Sequence, residues 1–359
     1  MGHFGFRPYR QRLTRRAAIW SGLALGGSLL AGLPTRSVAA HQATPDACPA
    51  TTGDENLAIV QRWYDILDAG DIDAFPTVLA PVIVQHAADF VDARGVEEVQ
   101  TSFAPFLAAF PDMRHEIHEW VVDGDFVAVH VTGRGTHQDE FSGVEATGQD
   151  VTWNIVTIYR IECGLIAEQW SEVDAIGRLQ QLGAIPPIDV PSAGTPVPSS
   201  TPAAGATPDD CPVTSEEENA ELVRRWYDEV LTQGHLDRID QYVHEDHRHW
   251  RPLGWYTGGI DARAASIQGW QEAFEDFTVT PELILTDGDL VVARWTASGT
   301  HVGPWERIEP TGASVSWTGN TIFRIACGQI VEERTESDAL AFFQQLGVVQ
   351  WPPEATPAS

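Results

Sequence analysis

The sequence predicts an α+β protein in which one fold is written twice. Three observations carry this. First, short segments recur along the chain at one spacing: RWYD at 62–65 and 225–228, DGD at 123–125 and 287–289, GTH at 135–137 and 299–301, CGLIAE at 163–168 against CGQIVE at 327–332, and QQLG at 180–183 and 344–347. The offset is 163 residues at the start and 164 afterwards. A solenoid repeat would have a period of only ~20–50 residues, so a whole domain is duplicated. Second, each copy begins with helix-period segments and continues in long strand-like runs, the order of an α+β domain with helices packed on one sheet face. Third, residues 187–210 are rich in Pro, Ala, Ser and Thr and have no apolar period. They read as a tether between domains at 48–186 and 211–351.

The elements of the first copy follow in order. From Asp54, a candidate N-cap, apolar residues Leu57, Val60, Trp63, Tyr64 and Leu67 fall at three- and four-residue spacing, which predicts a helix ended by Gly70. A short second helix fits Ile72–Leu79, and Val82–His86 is strand-like. A third helix covers Val96–Ala109, with Val99, Phe103, Phe106 and Leu107 on its apolar face, and stops near Pro111. Four strands are expected at Arg114–Val122, Phe126–Gly135, Val151–Ile161 and Leu165–Glu172, with turns at Asp123-Gly124 and Cys163-Gly164. A short helix at Ala175–Leu182 closes the domain. The second copy follows element by element.

Residues 1–40 contain six Arg and no acid, an apolar Gly-rich run at 17–33 and a small-residue cleavage pattern at Val38-Ala39-Ala40. They read as an export signal, and Thr14-Arg15-Arg16 resembles the twin-arginine type. The run is shorter than the ~20 strongly apolar residues of a membrane span. The expected location is periplasmic or extracellular. The remaining chain has 16 Arg, no Lys and 51 acids, a balance of −35. That balance argues against nucleic acid or an anionic membrane as partner, since both require compensating cations. Two Cys occur at matched positions in each copy, Cys48 and Cys163, then Cys211 and Cys327. In an exported chain they read as disulfides, and duplication favours the intradomain pairs Cys48–Cys163 and Cys211–Cys327.

The segments GTHQDEF, TGQDVTW and YRIECGLIAEQWSEVDAIGRLQQLG resemble the SnoaL-like polyketide cyclase (ester cyclase) group of the nuclear transport factor 2-like superfamily. The resemblance covers nearly all of both copies. It implies two tandem cone-shaped domains. Each would have a curved antiparallel sheet, about three N-terminal helices and a short C-terminal helix around one apolar pocket. Packing of two such domains sheet to sheet, as an internal pseudo-dimer, is common in the superfamily. The fold hosts cyclases, isomerases, epoxide hydrolases and non-catalytic binders, so it does not choose a reaction.

Candidate chemistry lies on the strand that ends at Asp174. Alternation puts Glu168, Trp170, Glu172 and Asp174 on one face. If that face is the pocket, desolvation beside the indole raises a carboxyl pKa into the useful range for an acid or base. The resemblance implies that role for Asp174 and, in the second copy, Asp338; the alternative is that Asp174 only caps the following helix. It also points to His86 as a pocket histidine. At the matching place the second copy has Trp250, with His249 one position away, and a one-residue shift reverses the face of a strand. His137 and His301 occur in both Gly-Thr-His triplets and read as scaffold or pocket edge. Trp153 and Asn154 are further candidates for ligand contact. The second copy replaces Trp170 by Arg334, and a guanidinium beside Asp338 would favour its ionised form. On that ground the first copy is expected to be the active one. No metal or cofactor is expected: the cluster His244, His247, His249 lacks a dictated third ligand, and no phosphate loop, dinucleotide fingerprint or nucleophile elbow appears. The expected function is cofactor-free acid/base cyclisation or isomerisation of a small apolar carbonyl compound. A non-catalytic binder and an epoxide or ester hydrolase are the alternatives.

Overall fold

The computed structural model describes residues 48, 50–87, 92–188 and 213–351. The candidate export signal at 1–40 and most of the candidate tether lie outside the described residues. In the first repeat, α1 (Gly53–Ala69) is followed by a 3₁₀ turn (Ile72–Thr77), β1 (Leu79–Ala87), β2 (Ala93–Arg94), α2 (Val96–Ala109), β3 (Arg114–Asp123), β4 (Phe126–Thr136), β5 (Asp150–Glu162), β6 (Leu165–Val173) and α3 (Ala175–Gln181). The second repeat has α4 (Glu216–Arg225), which continues as a π-helical turn (Trp226–Thr232), a 3₁₀ turn (Leu236–Gln241), β7 (Val243–Arg251) and β8 (Trp255–Gly258). It then runs through α5 (Ile260–Ala273), β9 (Phe274–Asp287), β10 (Leu290–His301), β11 (Ser314–Ala326), β12 (Gln329–Ser337) and α6 (Ala339–Gln345).

Each repeat builds a six-stranded sheet, ordered β2-β1-β6-β5-β4-β3 and β8-β7-β12-β11-β10-β9. Both sheets are antiparallel except where β1 lies parallel to β6 and β7 parallel to β12. That parallel step joins the first strand to the last of the meander, so the residues of β1 and β6 stand side by side at the pocket. The first helix is capped two residues earlier than Asp54 suggests. Thr52 accepts from the Glu55 amide while Glu55 accepts from the Thr52 amide, a reciprocal capping box. Ser215 and Glu218 repeat it. The one-residue slip between repeats has a location. RWYD matches at an offset of 163 and Gly70 matches Gly234 at 164, so the extra residue falls in the π turn, the form a single insertion takes inside a helix.

Cys48 and Cys163 are bonded, with Cα atoms 5.2 Å apart, which ties the chain before α1 to the β5–β6 turn. Cys327 is also disulfide-bonded; Cys211 lies outside the described residues. Among the described residues no helix is long and apolar enough to cross a membrane.

Both repeats belong to one compact unit beginning at Cys48. Helices cover one face of each sheet. On the other face Val121, Ala128, Val156 and Ile158 of the first repeat pack on Leu285, Val292 and Ile322 of the second. Polar contacts surround this patch. The Val122 amide donates to Asp287, and the Thr286 amide donates to Asp123, both at 3.0 Å. These are the same contact made in the two directions, as an approximate two-fold relation requires. The Asn320 side chain donates to the carbonyls of Val156 and Trp170.

Candidate functional site

Because the two sheets cover one another, both faces of β6 and β12 are buried, and burial does not alternate along them. The pocket face is the odd-numbered one. Gln169, Ser171 and Val173 line the first cavity, and Glu333, Thr335 and Ser337 line the second. The expectation that Glu168, Trp170, Glu172 and Asp174 look into the pocket is therefore reversed. Trp170 joins the contact between the sheets, where Arg294 lies over its ring at 6.0 Å. Glu172 accepts from Thr318 (2.7 Å) and Arg294 (3.4 Å) of the second repeat. Glu168 bonds Arg160 and His86. His86 stacks on Trp170 at 5.8 Å and also faces away from the cavity, which its neighbours Gln85 and Ala87 line. Asp174 and Asp338 are the N-caps of α3 and α6, accepting from Gly177 and Ala341 at 2.9 Å. Neither is among the residues that line these two cavities.

Other candidates sort the same way. Asn154 accepts from Thr132 on the outer face. Trp250 lies 4.0 Å under the Arg334 guanidinium, which pairs with Glu332 rather than Asp338. The asymmetry that pointed to the first repeat therefore has no structural basis. His137 and His301 are buried against Phe110 and Phe274 and bond Thr147 and Thr311, so each pins the loop that follows its strand. Trp153 does line the first cavity, as Trp317 lines the second. His249 lines the second cavity because it stands in register with Glu333, where Gln85 pairs with Gln169 in the first repeat; the register irregularity that precedes each pair is common to both repeats.

The second cavity, about 140 Å³, lies between the sheet, α5, α6 and the π turn. Its walls are aromatic: Trp255, Trp270, Trp295, Trp305, Trp317, Phe277, Phe342 and Phe343. The polar residues come from the odd face of β7 (His249, Arg251), from β12 (Glu333, Thr335, Ser337), from Thr321 of β11, from Tyr227 of the π turn and from Arg263 of α5. Arg263 grips Glu333 through two parallel hydrogen bonds of 2.9 Å, and His247 Nε2 lies 2.9 Å from the same carboxylate. Burial opposes ionisation of Glu333, but the Arg263 guanidinium together with His249 and His247 outweighs it and holds the carboxyl well below its usual range. Burial, reinforced by Arg263 and Arg251 against the opposing pull of Glu333, holds the His249 imidazole well below its ordinary pKa, and so neutral. His249 Nε2 lies 3.1 Å from Thr335 Oγ1, and Nδ1 is buried without a partner. The chain continues through Thr321 (2.9 Å) to the Trp295 indole N–H (3.0 Å).

The first cavity is smaller, about 50 Å³. Gln85 and Gln169 stand where His249 and Glu333 do and bond each other at 2.8 Å. Val99 and Ala87 match Arg263 and Arg251, and Arg178, packed against Phe106, Phe141 and Trp153, replaces Phe342. His115 lines this cavity and bonds Asp68, which lies outside the lining, at 2.7 Å. Glu333, Arg263, Arg251 and Tyr227 are absent from the sequence-based candidates. Comparing the two copies along odd-numbered positions would have exposed the first three, since each replaces an uncharged residue.

A helix-covered sheet enclosing one cavity per repeat is the architecture of the nuclear transport factor 2-like superfamily. A family model described as SnoaL-like polyketide cyclase matches residues 58–182 and again 221–346. The chain belongs to the SnoaL-like polyketide cyclase family and carries its domain twice. Solved structures similar to it include a putative SnoaL-like polyketide cyclase from Jannaschia sp. CCS1, at 27% identity over 38% of this chain and 95% of that one, TM-score 0.35. TsrD from Streptomyces laurentii is similar at 30% identity, over 37% and 95% of the two chains, TM-score 0.33. The putative polyketide cyclase IdmH from Streptomyces antibioticus is similar at 30% identity, over 37% and 99%, TM-score 0.32. No curated protein matches.

Proposed function

We propose that the second repeat is the working half, and that its cavity carries out acid/base proton transfer on a small, mostly apolar carbonyl compound, of the cyclase or isomerase kind. One observation carries this reading. A neutral imidazole with an unpartnered nitrogen, His249, lines an aromatic cavity beside the ionised carboxylate Glu333. Glu333 has both oxygens engaged by Arg263, so His249 is the base. His249 takes a proton from the carbon next to the carbonyl, and the C–H electrons pass to the carbonyl oxygen. Tyr227, whose hydroxyl proton burial retains, is the donor for that oxygen. Glu333 stabilises the imidazolium that forms, as a carboxylate does for a catalytic histidine. Returning the proton to another carbon isomerises the compound. Attack of the enolate carbon on a second carbonyl, whose oxygen then takes the proton, closes a ring. The test is exchange of α-hydrogens of cyclic ketones in D₂O, followed by NMR. Exchange should fall ~100-fold or more in His249→Gln while ketone binding persists. Binding without exchange in the unmodified protein would replace this reading by that of a carrier. The Arg-rich, acid-free segment 1–40 and the Cys48–Cys163 bond support export of the chain; mass analysis of secreted protein beginning at His41 tests it.

A further inference from the structure

One charge in the second cavity has no counter-ion. Arg251 ends β7, and its Nε is buried with no hydrogen-bond partner. Among the described residues no carboxylate forms an ion pair with it. Glu333 is taken by Arg263, and Glu306 acts on Arg251 only at longer range. The guanidinium is held in place by the Trp255 ring, 5.4 Å away. Burial and the neighbouring Arg263 push its pKa down to about 10, so it remains a cation at neutral pH. Arg251 as a whole is only half-buried, but its Nε is sealed from water, and a donor so sealed is hydrogen-bonded as a rule. The fold does not need this one, because Ala87 fills the matching place in the first cavity. The cavity's size limits what could supply the missing charge: about 140 Å³ is the scale of a void that holds one benzene ring.

We infer that Arg251 receives the carboxylate of the ligand, which is an apolar organic acid of one ring whose hydrocarbon part lies among the tryptophans. A planar guanidinium with its Nε free suits a carboxylate better than a neutral carbonyl, because it can donate two parallel hydrogen bonds. The inference rests on the reading of this cavity as the binding site. It narrows the carbonyl compound to a keto acid.

The test uses probes of one shape that differ by a charge: phenylacetate and phenylacetamide, titrated into the full chain at pH 7.5 with tryptophan fluorescence and calorimetry as readouts. The unmodified protein should bind phenylacetate about tenfold or more tightly than the amide. Arg251→Gln should erase that preference and leave the amide affinity unchanged, and Arg251→Lys should keep part of it. Equal affinities in the unmodified protein, or a preference that survives Arg251→Gln, overturns the assignment. If Arg251→Gln does not fold, the comparison in the unmodified protein and Arg251→Lys still decides. Failure to bind either probe also overturns it. Intact ketone exchange in that case leaves the catalytic reading standing, whereas acid preference without exchange supports Arg251 as receptor and removes the catalysis.

Discussion

Arg263 and Glu333 form a buried pair that the first repeat replaces with Val99 and Gln169. Removing one member of such a pair strands the other's charge and costs ~3–5 kcal/mol, whereas removing both is often nearly neutral. Arg263→Val alone and Glu333→Gln alone should therefore each lower the urea midpoint strongly. The double variant, which installs the first repeat's residues, should recover most of the loss. Additive losses in the double variant would show that the pair is not the unit of stability. This contrast between copies was already in the sequence, but its reading depended on which strand face met the pocket. One strand with two buried faces does not reveal that. The alternation of Glu168, Trp170, Glu172 and Asp174 was read correctly as a shared face and assigned to the wrong side, because the covering second sheet is a tertiary fact. The cap role of Asp174 was local, and so it was legible.

Among the elements, helices and meander strands follow their apolar periods closely. The sequence reading missed the two-residue strand Ala93–Arg94 and the parallel pairing of β1 with β6, since neither leaves a periodic signal of its own. A coupled exchange between β10 and β11 shows how the second cavity kept its wall. Val131 and Ile155 face each other across the first sheet; Trp295 and Gly319 do so across the second. A Cβ on Gly319 would come within 2.1 Å of the Trp295 ring, so the indole requires the glycine. Gly319→Ala should destabilise by ~1–3 kcal/mol through overpacking, read as a lowered thermal midpoint. Combining Gly319→Ile with Trp295→Val should relieve the clash and restore the midpoint. A single Gly319→Ala variant as stable as the parent would show that the indole has other room.

At the scale of the molecule, the contact between the sheets encloses three acidic side chains. Glu172, Asp174 and Glu336 are all buried there, and an oxygen of Glu172 and one of Glu336 have no hydrogen-bond partner. Burial pushes Glu172 up to about 8; Thr318 and Arg294 oppose the rise and Asp338 adds to it. Burial raises Glu336 well above its usual value, with Asp174 and Glu172 adding to the rise and no cation opposing it. Burial likewise raises Asp174, against the Gly177 and Leu253 amides and Arg178. Each raised carboxyl keeps its proton in the folded chain over a pH range where the unfolded chain has lost it. Stability from these groups is fully present below the unfolded pKa, about 4.3 for the two Glu and about 3.9 for the Asp, and falls by about 1.4 kcal/mol per pH unit per group up to the folded pKa. Other acids, such as Glu333, shift the opposite way, so the decisive quantity is the difference between a variant and its parent. Glu336→Gln keeps the shape of the protonated side chain and removes the titration. It should match the parent near pH 4 and become progressively more stable than the parent as the pH rises towards the folded pKa, measured by urea unfolding across that range. Because Glu336 lies at the seam, the gain should also appear as tighter association of the two repeats after cleavage at a protease site inserted within 190–208. A stability difference that does not grow with pH would mean that water reaches Glu336 and that the sheets do not seal the seam.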